Sequence, residues 1–111
     1  MSNAYIVYIN NLPALTVHEI SGETPANIRA DLIKKHLDSI IASGVTTAEI
    51  RSATIKGEEV VVAGIRPIAT VLLSEAKVSN LTTKDLAAKW KEGIIAGLTS
   101  TPEVITKLVT P

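Results

Sequence analysis

Residues 6–17 read IVYINNLPALTV, and residues 60–71, shifted by 54 positions, read VVVAGIRPIATV. Both stretches contain a β-branched apolar run, a short turn, a proline and a second run, which is the pattern of a β-hairpin. In the first stretch the turn is Asn10-Asn11, and Asn tolerates the positive φ angles of a tight turn. A threonine and a helical pattern follow each hairpin, four residues later in the second copy. The sequence therefore predicts an internal repeat of two ββα units related by a pseudo-twofold axis.

Two helices are predicted where apolar residues recur at helical spacing. The first is expected to begin with Thr24 as its N-cap and Pro25 as its first helical residue. In the second, Thr82 and Asp85 have the spacing of a capping box, with Asp in place of the usual Glu. Gly93 lies inside this second helix at a cost of about 1 kcal/mol relative to Ala. Its presence there favours close packing of the helix on the sheet.

The fold class follows from the order of these elements. Residues 50–56 alternate in polarity and predict an additional strand between the two units. We expect an α+β two-layer sandwich, with a mostly antiparallel sheet of about five strands and two helices on one face. Residues 1–100 are expected to form a single domain, and residues 101–111 a C-terminal tail or linker. The composition of the tail also allows a short strand or an arm.

The composition excludes several functional classes. Hydrophobic residues make up 46% of the chain but Phe is absent, so the core must be aliphatic, with Trp90 expected inside it. Eleven basic residues balance eleven acidic ones, which disfavours generic binding to nucleic acid. The absence of Cys removes disulfides and zinc-thiolate sites. No apolar run approaches the roughly 20 residues that span a bilayer, and no signal peptide is expected in this chain.

Residues that could perform catalysis are sparse. Neither His18 nor His36 has a second His or a carboxylate at the i+3 or i+4 spacing of a helical metal pair. No serine lies in a Gly-x-Ser-x-Gly motif, and no glycine-rich phosphate loop is present. We therefore predict a protein that is not an enzyme, with no catalytic, cofactor-binding or metal-binding residues. An enzyme would require a polar pocket around one of the two histidines.

The predicted strands are apolar on both faces, at residues 5–9 and again at residues 60–62. Two helices can cover only one face of the sheet, so the other face favours contact with a second copy of the chain or with another protein. In the competing interpretation, the C-terminal tail folds across the far side. The residues predicted for such an interface are Tyr8, Val61, Val104 and Ile105.

A family resemblance adds to this interpretation. It is carried by residues 57–71 (GEEVVVAGIRPIATV), 75–77 (EAK), 81–87 (LTTKDLA) and 94–98 (IIAGL), with Trp90 between the last two. These stretches resemble the extramembrane N-terminal domain of bacterial, notably cyanobacterial, mechanosensitive-channel-like proteins, over about residues 5–98. Residues 73–77 (LSEAK) depart from the family pattern, which has an acidic pair after the second hairpin.

Two functional hypotheses remain open. The resemblance implies a non-catalytic periplasmic or otherwise extracytoplasmic interaction or sensory module, without channel activity, since this chain contains no channel. The alternative is a structural protein that assembles into a homopolymer or filament through an exposed sheet edge and its C-terminal tail. Neither hypothesis includes nucleic acid as a partner or membrane insertion by this chain.

Overall fold

The computed structural model describes residues 4–98 and 104–109, and these form an α+β fold, as the sequence predicts. Within these ranges there are six strands and three helices, and a short 3₁₀ turn at Thr47–Glu49 precedes the third strand. The elements in chain order are β1 (Ala4–Ile9), β2 (Leu12–His18), α1 (Ala26–Ala42), β3 (Ile50–Ile55), β4 (Glu58–Ala63), β5 (Arg66–Val71), α2 (Leu73–Val78), α3 (Thr83–Gly97) and β6 (Val104–Val109).

The strands are divided between two antiparallel sheets, each of three strands in the described part of the chain. Sheet A has the order β2-β1-β6, and sheet B has the order β3-β4-β5. The antiparallel pairing is confirmed, whereas the single sheet of about five strands is replaced by two smaller sheets. The two hairpins do not pair with each other. Instead β6 pairs with β1 of the first hairpin, and β3 pairs with β4 of the second. α1 packs on β1 and β6 of sheet A and on β5 of sheet B, whereas α3 packs most extensively on β2 of sheet A and also on β3 and β4 of sheet B.

The two hairpins have the same register, offset by 54 positions. Tyr8 lies opposite Pro13 in the first hairpin, and Val62 lies opposite Pro67 in the second. Both hairpins shift register immediately before these pairs, which is the signature of a β-bulge. A bulge bends a strand at a defined position, so its recurrence at equivalent residues confirms the internal repeat.

The repeating unit is ββαβ, one strand longer than predicted. β3 begins at Ile50, opposite Ala63 of β4, and β6 begins at Val104, opposite Ile9 of β1. Both pairs are related by the same offset of 54. The strand that the sequence analysis treats as additional therefore closes repeat 1 (residues 4–55), and residues 104–109 of the predicted tail close repeat 2 (residues 58–109). Residues 101–103, 110 and 111 of that tail lie outside the described residues.

The helices are equivalent at an offset of 57, because α2 adds three residues before α3. α2 was not predicted, since a helix of six residues is too short to show a clear apolar period. Trp90 is only 2% exposed, which confirms that it is a core residue. The equivalent buried positions of α1 and α3 are Ala30 and Ala87, Ile33 and Trp90, and Leu37 and Ile94.

The helix caps agree with the prediction in one helix and differ in the other. The Thr82 hydroxyl of α3 accepts a hydrogen bond from the Asp85 amide at 3.1 Å, as expected. In α1 the N-cap is Pro25, with ψ of 141°, so the prediction of Thr24 was wrong by one residue. The carboxylate of Glu19 performs the capping role, because it accepts the amide of Ala26 at 3.2 Å. No helix in the described ranges is long and apolar enough to cross a membrane.

Candidate interaction surface

The outer face of sheet A carries two of the four residues that the sequence analysis assigned to an interface. The term 'outer face of sheet A' denotes the surface formed by Ile6, Tyr8, Ile105 and Lys107, on the side opposite the buried Val7 and Ile9. Tyr8 and Ile105 are direct cross-strand neighbours, and so are Ile6 and Lys107. The ammonium nitrogen of Lys107 lies 5.4 Å from the centre of the Tyr8 ring, within cation–π range. The three apolar side chains are half-buried.

The structure separates the four predicted interface residues into two groups. Tyr8 and Ile105 lie together on the outer face of sheet A. Val61 is fully buried in sheet B, and Val104 is 6% exposed opposite Ile9. Neither valine is accessible to a partner in this fold, because both belong to the core that the helices cover. Lys107 was not singled out, since only the register of β6 on β1 places it over Tyr8.

The equivalent edge strands β6 of sheet A and β3 of sheet B expose different side chains. In the described residues β6 is an edge of sheet A, and its equivalent β3 is an edge of sheet B. β6 ends with Leu108 and Val109, which are 53% and 38% exposed. β3 exposes Arg51, Ser52 and Thr54 and one apolar side chain, Ile55, which is 44% exposed. An exposed apolar edge can pair with another strand, so β6, which exposes two adjacent apolar side chains, is the more favourable edge for pairing.

Two equivalent clefts lie between a helix of one repeat and the second strand of the other. Cleft 1, between α1 and β5, has a volume of about 230 Å³, and cleft 2, between α3 and β2, about 250 Å³. Many of their lining residues are equivalent. Those on the strands correspond at the offset of 54, and those on the helices at the offset of 57. The matched lining residues are Pro67 and Pro13, Ile68 and Ala14, Thr70 and Thr16, Arg29 and Leu86, Leu32 and Lys89, and Ile33 and Trp90.

The helices contact these strands in different ways. In cleft 2, a Cβ atom added to Gly93 would lie 2.0 Å from the carbonyl oxygen of Ala14, so α3 rests directly on the backbone of β2. At the equivalent position of cleft 1, Nδ1 of His36 lies 3.0 Å from the carbonyl oxygen of Ile68. A side chain therefore bridges α1 to β5. The direct contact of α3 with the backbone of β2 in cleft 2 confirms the close packing that was predicted from Gly93.

Arg29, which lines cleft 1, belongs to a buried ion pair. Glu75 of α2 is fully buried, and its carboxylate pairs with the guanidinium of Arg29. The same carboxylate accepts the amide of His18 at 2.8 Å, and Arg29 donates to the His18 carbonyl at 3.2 Å. A buried charge is tolerated only when it is paired and hydrogen-bonded. This network therefore has a structural role, because it connects α1, α2 and the end of β2.

The histidines do not come together with other titratable groups as a metal site. His36 uses one ring nitrogen on a backbone carbonyl, and His18 takes part in the network above through its main chain. Among residues 4–98 and 104–109 no group of three or more His, Asp or Glu could hold a metal ion. In the same ranges every buried polar side-chain atom has a hydrogen-bond partner.

Comparisons with known proteins place the chain in one family. No curated protein and no solved structure matches it. The resemblance to extramembrane domains of channel-like proteins is not tested by these comparisons and stays a prediction. A domain of unknown function, DUF8459, matches residues 6–101, a range that contains all three helices, the second hairpin and the first hairpin from Ile6 onwards. The match covers most of the chain, and the protein therefore belongs to the DUF8459 family.

Proposed function

We propose that this domain is a non-catalytic interaction module that contacts its partner through the outer face of sheet A. The observation that supports the proposal is the half-buried pair of Tyr8 and Ile105, with Lys107 over the tyrosine ring. Tyrosine is enriched at the centres of protein interfaces, because it offers a large apolar area and a polar tip at low entropic cost. An aliphatic neighbour extends that area, and the long stem of Lys107 covers it in the absence of a partner.

The location of the module is a second part of the proposal. The resemblance described above supports a place outside the cytoplasm, beside a membrane protein. Protease added to spheroplasts, whose outer membrane has been opened, should then degrade the domain while leaving a cytoplasmic marker protein intact. Survival of the domain until the inner membrane is lysed would contradict this location.

The contact surface is tested first with a second copy of the chain as the partner. Size-exclusion chromatography with light scattering measures the mass over a concentration series. We expect Tyr8→Lys to raise the dimer dissociation constant about tenfold or more, because it places a charge at the centre of the contact. Ser52→Lys, exposed on the edge strand of sheet B, is the matched control and should leave the constant unchanged.

A contact with a different protein is tested by a photo-reactive amino acid at Tyr8, with the same group at Ser52 as the control. Cross-links are expected from position 8 alone. Equal masses for the wild type and Tyr8→Lys, together with no preference for cross-linking at position 8, would contradict the proposed surface.

The exposed apolar end of β6 supports a second candidate function, that of a self-assembling structural subunit. In this case the mass should grow continuously with concentration, since an edge that pairs head to tail does not close. Val109→Lys should abolish the growth. Ile55→Lys is the matched control, because Ile55 is the equivalent residue of β3 and is similarly exposed, at 44% compared with 38%. A finite mass for the wild type at every concentration would contradict assembly.

A further inference from the structure

The two repeats are intertwined rather than packed side by side. The last strand of repeat 1, β3, hydrogen-bonds to β4 of repeat 2, and the last strand of repeat 2, β6, hydrogen-bonds to β1 of repeat 1. Each helix also packs on a strand of the other repeat. α3 of repeat 2 packs on β2 of repeat 1, and α1 of repeat 1 packs on β5 of repeat 2. Each repeat therefore completes a sheet that begins in the other, as the subunits of a strand-exchanged dimer do.

A single tight turn joins these two interlocked halves. It consists of Lys56 and Gly57, whose φ angles are +52° and +82°. Both residues are exposed. A lysine rarely adopts this left-handed conformation, which is disfavoured by its Cβ atom. The turn inside repeat 1 has Asn10 and Asn11 at its positive φ angles, and Asn tolerates them better. Conformational strain is thus located at the junction of the halves.

The register of the ladder on either side of this turn allows it to open. Partner residues advance one by one from Ile50 with Ala63 to Ile55 with Glu58. If the turn became extended, the next pair would be Lys56 of one copy with Gly57 of another. The ladder would continue through the junction without a shift, and no side chain of β3 or β4 would change face.

We propose that two copies of this chain exchange halves at the Lys56–Gly57 turn, forming a closed dimer in which repeat 1 of each copy packs with repeat 2 of the other. The dimer keeps every contact between the repeats, relieves the strain at Lys56 and adds pairing at the junction. The partner is a second copy, because the surface that each half needs is the other half of this same sequence. The inference does not depend on the proposed function, since the exchange leaves the outer face of sheet A uncovered.

Two substitutions with opposite expected effects test the exchange. Gly57→Val adds a side chain to a residue at φ +82° with no atom within 4 Å of the added Cβ, so it strains the closed turn without a clash. Valine suits the extended strand of the opened form. After refolding at high concentration, we expect the dimer-to-monomer equilibrium to rise about tenfold or more over that of the wild type. Lys56→Gly relaxes the closed turn and should lower it.

Gly44→Val is the matched control. Gly44 has φ of +77° and equally open surroundings, but it lies within repeat 1, between α1 and β3. The substitution should destabilise the fold without raising the dimer fraction. If Gly57→Val does not fold, deletion of Lys56 and Gly57 replaces it, because removing two residues keeps the alternation of faces while making a closed turn impossible.

A disulfide distinguishes exchanged halves from any other dimer. The chain has no native Cys, and Tyr5 and Leu108 are direct neighbours across β1 and β6, on the face opposite the outer face of sheet A. In a Gly57→Val chain that also carries Tyr5→Cys and Leu108→Cys, oxidation should link two chains on a non-reducing gel. In the wild-type monomer with the same cysteines, the bond should form within one chain.

Three results would overturn the proposal. The first is a folded Gly57→Val chain with the same monomer fraction as the wild type. The second is a dimer whose disulfide stays within each chain, which would assign the association to another surface, such as the outer face of sheet A. The third is loss of folding in both the Gly57→Val chain and the deletion, because exchange of halves would have bypassed the turn.

Discussion

Cleft 1 and cleft 2 are built from equivalent residues, yet the two helices meet their strands differently. α3 lies against β2 through Gly93, and an added Cβ would meet backbone atoms there. α1 reaches β5 through the side chain of His36. The two repeats therefore differ in the distance between helix and strand, although their strand register and bulge positions are the same. Register is specified by backbone hydrogen bonds over a whole ladder, whereas the distance to a helix depends on one or two side chains.

The largest expected effect concerns the ion pair that cleft 1 has and cleft 2 lacks. Leu86 occupies the position in cleft 2 that Arg29 occupies in cleft 1. Arg29→Leu should lower the free energy of unfolding by about 3–5 kcal/mol, because it leaves the fully buried Glu75 carboxylate without its counter-charge. Urea denaturation followed by circular dichroism measures the loss.

The double variant Arg29→Leu/Glu75→Leu is the control for the ion pair. It should recover most of the stability, since two apolar side chains leave no buried charge. A double variant as unstable as the single one would show that packing, and not the unpaired carboxylate, determines the loss.

The next effect concerns the close contact in cleft 2. Gly93→Ala should destabilise the fold by about 2–3 kcal/mol even though Ala is the better helix former, because its Cβ would lie 2.0 Å from the Ala14 oxygen. The backbone of β2 cannot yield as a flexible side chain can. The urea midpoint measures this change, and a variant at least as stable as the wild type would refute the contact.

The side-chain bridge in cleft 1 should contribute less. His36→Leu removes the hydrogen bond to the Ile68 carbonyl, and because both residues line cleft 1, water in the cleft can replace the imidazole there. We expect a loss of about 0.5–1 kcal/mol, in contrast to the larger loss at the equivalent Gly93. Thermal unfolding of the two variants side by side provides the comparison, and equal losses would mean that the clefts are packed alike.

The smallest effect is expected outside the clefts, on the outer face of sheet A. Lys107→Gln removes the cation from the Tyr8 ring and should cost no more than about 0.5 kcal/mol, because Lys107 is exposed. Lys107→Arg is the control and should retain the stability, because the guanidinium also packs on aromatic rings. The midpoint of urea unfolding, followed by circular dichroism, measures the difference between the variants. A glutamine variant that matches the arginine variant would contradict the contribution.

Much of the candidate surface follows from sequence, but not all of it. Tyr8 was predicted because apolar residues on both faces of a strand indicate a second contact, and Ile105 because it lies in a C-terminal tail that could pair with a sheet edge. The same reasoning wrongly included Val61, since alternation of residues cannot show which face of a strand a helix covers. Glu75 and Arg29 were not recognised as partners, because they are 46 positions apart and meet only through the placement of α2.

Four features follow from the sequence alone: the hairpins, the turn at Asn10 and Asn11, the cap at Thr82 and the offset of 54 between the repeats. They depend on backbone preferences and side-chain periods within a few residues. The sequence does not show that the strands form two sheets, that β6 closes the first of them, or that each repeat completes the other, and these features come from the folded structure. Every strand offers the same backbone donors and acceptors, so its neighbours are selected by the packing of the whole core and not by its own residues.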